Sequence, residues 1–338
     1  RGVLVGPFKR KEGAHVEEAE VLGRLLESRR GVEHVLIDVG ACGGTYAEQF
    51  ADLGWRCICF EPDPANRVIL QRKLGSRDHV TIDPRAIGST ARSEQPFFSS
   101  AVSKGISSLL EFHDSHVQSC LVEVVPLAKA LADANFDRVD LLKTDVEGLD
   151  LDALMSFDWS GPAPEIVECE FEDRKTRLLG HTWRDVCQFL VGKGYSVWVS
   201  EWHPIVQYGR RHQWKQLVEF PTDMVSPLGW GNLIAFQNRE LGMQFASLFR
   251  EFVVFPDGGA EGASDGTRKT SSVEAGVAES LPVDTEVETL SRPAGERSQA
   301  GRTPGNSELA AMQPGGDTLR EEATALPGAD DVWIVNRN

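Results

Sequence analysis

Residues 33–255 predict an α/β fold built on a doubly wound, mostly parallel sheet, and three observations carry that prediction. Short apolar runs alternate with amphipathic runs of helical period, so the first half reads β-α-β-α-β. The stretch "HVLIDVGACGGTYAEQF" (34–50) passes from a strand through a burst of glycine into a helix. Composition then shifts sharply near Pro256, beyond which Gly, Ser, Thr, Pro, Ala and Glu dominate up to Trp333.

The elements follow in order. "AHVEEAEVLGRLLESRR" (14–30) is helical in period and supplies most of a lead-in over 1–32. "HVLIDV" (34–39) is a buried strand, and "TYAEQFADLG" (45–54) is a helix stopped by glycine. Strand "WRCICFEP" (55–62) is followed by helix "PANRVILQRKLG" (64–75), with Pro64 at its start, and by strand "HVTID" (79–83). Strands are expected next at "VEVVPL" (122–127) and "VDLLKTD" (139–145). Helix "LDLDALMSF" (149–157), strand "EIVECEFE" (165–172), helix "TWRDVCQFLVGKG" (182–194) and strands "YSVWVSE" (195–201) and "GNLIAFQ" (231–237) complete the body. Residues 202–230 are rich in Trp, His, Tyr and Arg with weak periodicity, and predict a loop or cap that would serve as a substrate region.

The segment 256–338 holds 15 acidic and 7 basic residues, half of the chain's net charge of −16. With so little apolar surface to offset its ordering entropy it is expected to be disordered, although "DDVWIVN" (330–336) has strand-forming character. The acidic balance argues against a nucleic-acid or anionic-membrane partner. No apolar run reaches the roughly 18 residues of a membrane helix, and no secretory signal opens the chain. The six cysteines show no C-x-x-C pair and no zinc-ligand spacing, so reduced thiols in the cytoplasm are expected. The start at Arg1, without methionine, leaves a fragment of a longer chain among the expectations.

In an open parallel sheet, ligands sit at the carboxyl ends of the strands near the switch point. Asp38-Val39-Gly40-Ala41-Cys42-Gly43-Gly44 falls there. The dinucleotide fingerprint G-x-G-x-x-G, counted from Gly40, would need glycine where Cys42 and Thr45 stand. The pattern is instead an acid followed by spaced glycines. Glu61 ends the second strand about 20 residues beyond the first glycine, where a carboxylate suits two ribose hydroxyls. A ribose-containing cofactor without a tightly cradled pyrophosphate fits better than NAD, and S-adenosylmethionine is the leading candidate. Its expected contacts are Asp38, Gly40, Gly43, Gly44, Glu61 and Asp83, the last ending the third strand.

"IDVGACGGTYAEQFADLGWRCICFEPDPAN" resembles the opening motifs of the FkbM-like family of S-adenosylmethionine-dependent methyltransferases. "SSLL" (107–110), "VVPLAKAL" (124–131), "DLLKTDVEGLDLDAL" (140–154) and "EIVECEF" (165–171) continue the resemblance in order, as do "GYSVWVSEWHPIVQYG" and "WGNLIAF". It covers roughly 33–237, and Cys42 stands where the family often has Asn. The resemblance implies a class I methyltransferase-type, Rossmann-like sheet of seven strands with the last antiparallel. It also implies O-methylation of a hydroxyl on a small metabolite or sugar.

A hydroxyl acceptor needs a base or a metal to take up its developing acidity. Asp145 and Glu147, in "LLKTDVEGLD", are the leading catalytic candidates, and His203 in "SEWHPIVQYG" is a further base. Asp145 also has the character of a helix cap. Ser108, Glu170, Trp202 and Tyr208 are candidate acceptor-binding residues. The carboxylates at 145, 147, 170 and 172 admit a divalent metal of the Mg²⁺ type, but without a fixed geometry no metal is assigned. The partner expected is a small-molecule or glycan acceptor, with oligomeric state open. The competing readings are an NAD-dependent oxidoreductase and a non-catalytic methyltransferase-like module of a larger protein.

Overall fold

The computed structural model describes residues 15–253 apart from Gly209 and Met224. The first 14 residues of the lead-in, the acidic tail and its "DDVWIVN" segment lie outside the described residues. The opening alternation is realised as α1 (Glu18–Leu25), β1 (Val35–Val39), α2 (Thr45–Asp52), β2 (Arg56–Phe60), α3 (Pro64–Leu74) and β3 (Val80–Asp83). The lead-in helix is shorter than its sequence period suggests. α3 begins where proline costs no hydrogen bond, and Asp63 caps it by accepting from Ala65 N at 2.8 Å.

Three strands follow, β4 (Ala86–Ile87), β5 (Arg92–Ser100) and β6 (His116–Val125), then α4 (Leu127–Asp133). The second half comprises β7 (Leu141–Thr144), α5 (Asp150–Met155), β8 (Ile166–Glu172), the single turn α6 (Asp173–Thr176), α7 (Trp183–Gly192), β9 (Ser196–Trp202), β10 (Trp214–Glu219), β11 (Trp230–Phe236) and α8 (Arg239–Phe252).

The main sheet has eight strands in the order β10-β9-β11-β8-β7-β1-β2-β3. β3, β2, β1, β7 and β8 run parallel, while β11 lies antiparallel between β8 and β9. Those seven strands meet the expectation of a mostly parallel sheet with an antiparallel last strand. The eighth is a correction: part of the predicted cap over 202–230 is β10, an edge strand antiparallel to β9. A second correction concerns "VEVVPL", which belongs to β6 in a separate three-stranded sheet of order β4-β6-β5.

β1 is buried on both faces, as a central parallel strand must be. Val35, Ile37 and Val39 pack with Leu131 of α4, Leu154 of α5 and Leu190 of α7. Leu36 packs on the other face with Leu22 of α1, Phe50 of α2, Leu70 of α3 and Phe249 of α8. Helices therefore cover both faces. The chain winds outward from β1 in one direction through β2 and β3, and in the other through β7 and β8, which opens a crevice above β1.

Candidate functional site

The turn after β1 is shaped by what it must pass. Gly40 has φ +85°, and a Cβ there would lie 1.9 Å from the Asp145 carbonyl oxygen. Any side chain would push apart the ends of β1 and β7, so glycine is required by backbone approach before any ligand is considered. Cys42 adopts φ +47° without being glycine, a conformation that Asn tolerates better than most residues. Its thiol is pushed up to about 11 by burial and by the nearby Glu61 charge, so it is no nucleophile at neutral pH. All six cysteines are free.

Above the turn lies a cleft of about 610 Å³, counting space open to solvent. Gly40, Cys42 and Glu61 line one wall, Asp145 and Val146 another, and Ser107, Ser108 and Leu109 a third. The third wall comes from the loop between β5 and β6, which sequence reading alone left without structure. It is pinned down by Asp63, whose Oδ2 accepts from the hydroxyls of Ser99 at 2.5 Å and Ser107 at 3.0 Å. His116 holds the same loop through the Ile106 carbonyl at 2.9 Å.

Glu61 is almost fully buried. Its two oxygens accept from Cys42 N at 2.6 Å and Asp63 N at 2.8 Å. Burial nevertheless pushes its carboxyl up to about 7, against the pull of those two hydrogen bonds. Each oxygen keeps a further lone pair for a ligand donor.

Beneath the cleft, Asp38, Lys143 and Glu168 stand in register on the adjacent strands β1, β7 and β8. Lys143 Nζ lies 3.4 Å from Asp38 Oδ1, 3.3 Å from Asp145 Oδ2 and 3.3 Å from the Gly40 carbonyl. Asp38 is wholly buried, and neither of its oxygens accepts a hydrogen bond of normal geometry. Its pKa is raised by burial, with Lys143 opposing. Glu168 accepts from Tyr46 Oη at 2.6 Å, and burial followed by the Glu18 charge pushes it up to about 8.

The same face of β8 continues upward through Glu170 and Glu172, two residues apart as strand alternation requires. Lys175 of α6 reaches into this level. It pairs with Glu147, and its Nζ is 2.8 Å from Glu172 Oε2 and 3.5 Å from Glu170 Oε2. Arg174 holds the other oxygen of Glu172 at 2.9 Å, and Tyr208 Oη donates to Glu172 at 3.3 Å. Asp145, Glu147 and Glu170 each bring one oxygen within 4.8 Å of the others.

Several sequence candidates therefore meet at one place. Gly40, Glu61, Ser108 and Asp145 line the cleft, Glu147 and Glu170 gather beside Asp145, and Tyr208 reaches Glu172 on the same strand as Glu170. Others do not line it. Asp38 turns under α2 toward Lys143, and Gly43 and Gly44 serve packing, since a Cβ at Gly44 would meet Leu70 at 2.5 Å. Asp83 is taken up by Arg85, whose Nη2 lies 2.7 Å away. Trp202 is a core residue donating its indole N–H to Glu18 at 3.0 Å. His203 follows β9, three strand positions from β7 and so about 14 Å across the sheet, because β9 sits beyond β11 and β8.

Lys143 and Lys175 were missed, together with Asp63. Their signal was present: a lysine inside the apolar strand "LLKTD" and another beside the acids of "EFEDRK" are costly unless paired.

Among solved structures, the chain is similar to an O-methyltransferase from Bacillus cereus in complex with SAH. That match has 9% identity and a TM-score of 0.36, covering 65% of this chain and 80% of that one. A precorrin-6Y C5,15-methyltransferase from Geobacter metallireducens matches at 13% identity and TM-score 0.35, covering 65% and 86%. A putative RNA methyltransferase from Pyrococcus horikoshii matches at 15% and TM-score 0.33, covering 65% and 81%. No curated protein matches the chain in sequence. One family model does match, that of the methyltransferase FkbM domain, over residues 38–197. The match runs from the buried acid of β1 into β9, and over that span the chain is similar to the methyltransferase FkbM domain.

Proposed function

We propose that the protein transfers a methyl group from S-adenosylmethionine to a hydroxyl of a small metabolite or glycan, with Asp145 as the proton acceptor. The observation that carries this reading is a single cleft with two acids in complementary settings. Glu61 is buried with free lone pairs at the end of β2, and Asp145, its side chain 39% exposed, faces the same space from the end of β7.

The residues present fit the cofactor. Glu61 accepts the two ribose hydroxyls. Phe60, Ile87, Phe97, Leu109 and Leu149 offer an apolar enclosure for a purine. When bound, the cofactor supplies an electrophilic methyl on a sulfonium. The chain's own work is to align the acceptor oxygen with that methyl, exclude water and take the hydroxyl proton. Asp145 Oδ takes it, held in place by Lys143, which also grips the Gly40 carbonyl and so ties the base to the cofactor turn. Ser108 borders the space for the acceptor.

Calorimetry on the full chain tests the reading with S-adenosylmethionine, its demethylated product and NADH. Micromolar binding of the first two, lost in Glu61→Ala, is the expected result. Binding of NADH alone would replace the donor assignment with the oxidoreductase reading, and wild-type-like affinity in Glu61→Ala would falsify the ribose contact.

A further inference from the structure

Three carboxylates that bring oxygens within 4.8 Å of one another repel unless a cation stands among them or a proton is held. At the rim of β8 that cation is part of the chain. Lys175 is buried, pairs with Glu147, and stands 2.8 Å and 3.5 Å from oxygens of Glu172 and Glu170. An ammonium has three N–H donors, and three carboxylates face it. Phe112 closes the remaining side, its ring centre 4.9 Å from Nζ.

The surrounding backbone is built around this side chain. Gly148 has φ +99°, and a Cβ there would come within 3.1 Å of Lys175 Cβ, so the turn after β7 closes directly over the lysine. Glu147, in the same turn, takes φ +59°, a conformation uncommon for its residue type that leaves its carboxylate on Lys175. A divalent ion would require six or more oxygens at about 2.0–2.6 Å around one centre, and the ammonium already engages two of the three carboxylates that could supply them, Glu147 and Glu170.

We propose that Lys175 is a built-in cation: its ammonium takes up Glu147 and Glu170, two of the three carboxylates a divalent metal beside Asp145 would need, and positions them behind the cleft without a metal. Lys175 is thus a positioning residue. Its purpose rests on the proposed methyl transfer, but its test reads metal binding in the absence of donor or acceptor, so the two fail separately.

Mn²⁺ is titrated into the full-length protein and its free signal followed by electron paramagnetic resonance. Wild type is expected to bind no Mn²⁺ that Glu147→Gln or Glu170→Gln removes. Lys175→Met, which keeps bulk but not charge, is expected to bind Mn²⁺ on the order of tenfold or more tighter, through carboxylates left without their cation. Adding Glu147→Gln to that variant is expected to abolish the gain. Lys175→Arg, which keeps the charge, is expected to behave as wild type, a distinction that a merely space-filling lysine would not produce. Two outcomes overturn the proposal. One is Mn²⁺ binding by wild type that Glu147→Gln abolishes, which needs no lysine variant to fold. The other is a folded Lys175→Met, verified by circular dichroism, that binds Mn²⁺ no better than wild type. Should Lys175→Met not fold, Lys175→Gln replaces it, with the same expected and overturning results.

Discussion

Lys143 and Lys175 are both buried among carboxylates on one face of the sheet, yet they differ in their place along it and in the redundancy of their partners. Lys143 lies within a strand, in register with Asp38 and Glu168, and among the described residues Asp38 has no hydrogen-bond partner besides it. Lys175 sits on a single helical turn at the rim, where Glu172 keeps Arg174 and Tyr208 as further partners. The strand lysine neutralises a charge that nothing else among the described residues pairs with. The rim lysine organises charges that have partial alternatives. Redundancy of partners therefore sets the stability cost, and proximity to the cleft sets the chemical consequence.

The largest expected effect breaks the Lys143–Asp38 pair. Lys143→Met strands Asp38 and should lower stability by about 3–5 kcal/mol in urea denaturation. The double variant Lys143→Met/Asp38→Asn should recover part of that loss, since no unpaired charge remains. At the rim, Lys175→Met should cost about 1–3 kcal/mol, because Glu172 retains its hydrogen bonds and a proton can neutralise Glu147, whose carboxyl burial already pushes up to about 7. If the two single variants lost equal stability, the argument from redundancy would fail.

Between the two lysines stands Asp145, and Asp145→Asn separates chemistry from stability. With its side chain 39% exposed, thermal unfolding should move little, while methyl transfer should fall on the order of 10²-fold or more at unchanged donor affinity. A smaller effect concerns pH. Glu61 has its pKa raised to about 7 from 4.5, so the folded protein holds a proton that the unfolded chain releases. Ionised Glu61 therefore costs stability progressively as pH rises from about 4.5 to 7. Ribose hydroxyls need the ionised carboxylate, so donor affinity should rise about tenfold between pH 6 and 8, and Glu61→Gln should flatten that slope in calorimetry. The smallest effect is at the turn itself. Cys42→Asn should be neutral or stabilise by roughly 0.5–1 kcal/mol, since φ +47° suits Asn better.

Much of this molecule could be read from its residues, for identifiable reasons. β1, β2, β3, β7, β8 and β9 are apolar runs bounded by glycine, proline or charge, and their order follows from the alternation with helices. Glu61 was legible because its place at the end of β2 follows from chain geometry alone. β10 was not, because Trp214, Gln216, Leu217 and Val218 are all buried and no alternation marks the strand, with Gln216 satisfied by buried Glu201. β5 was hidden by Pro96 and by breaks in its register with β6. α8 left a signal that went unread, an Asn238 cap and the Phe245/Phe249 spacing of one helical turn. Asp38 and Asp83 were assigned to the cofactor from position in the chain, whereas their contacts are Lys143 and Arg85. Position at a strand end does not say which face a side chain takes.

Asp63 was introduced above only as a cap and a pin. One of its carboxylate oxygens starts α3, the other takes two serine hydroxyls from the β5–β6 region, and its own N–H donates to Glu61. One residue thus joins the ribose-side acid to the wall that closes over the cleft. Occupancy at Glu61 should accordingly be felt as slower hydrogen–deuterium exchange in the backbone from Lys104 to Leu109, more than twenty residues away in sequence. That segment is the natural place for a spectroscopic label reporting whether the cleft is loaded.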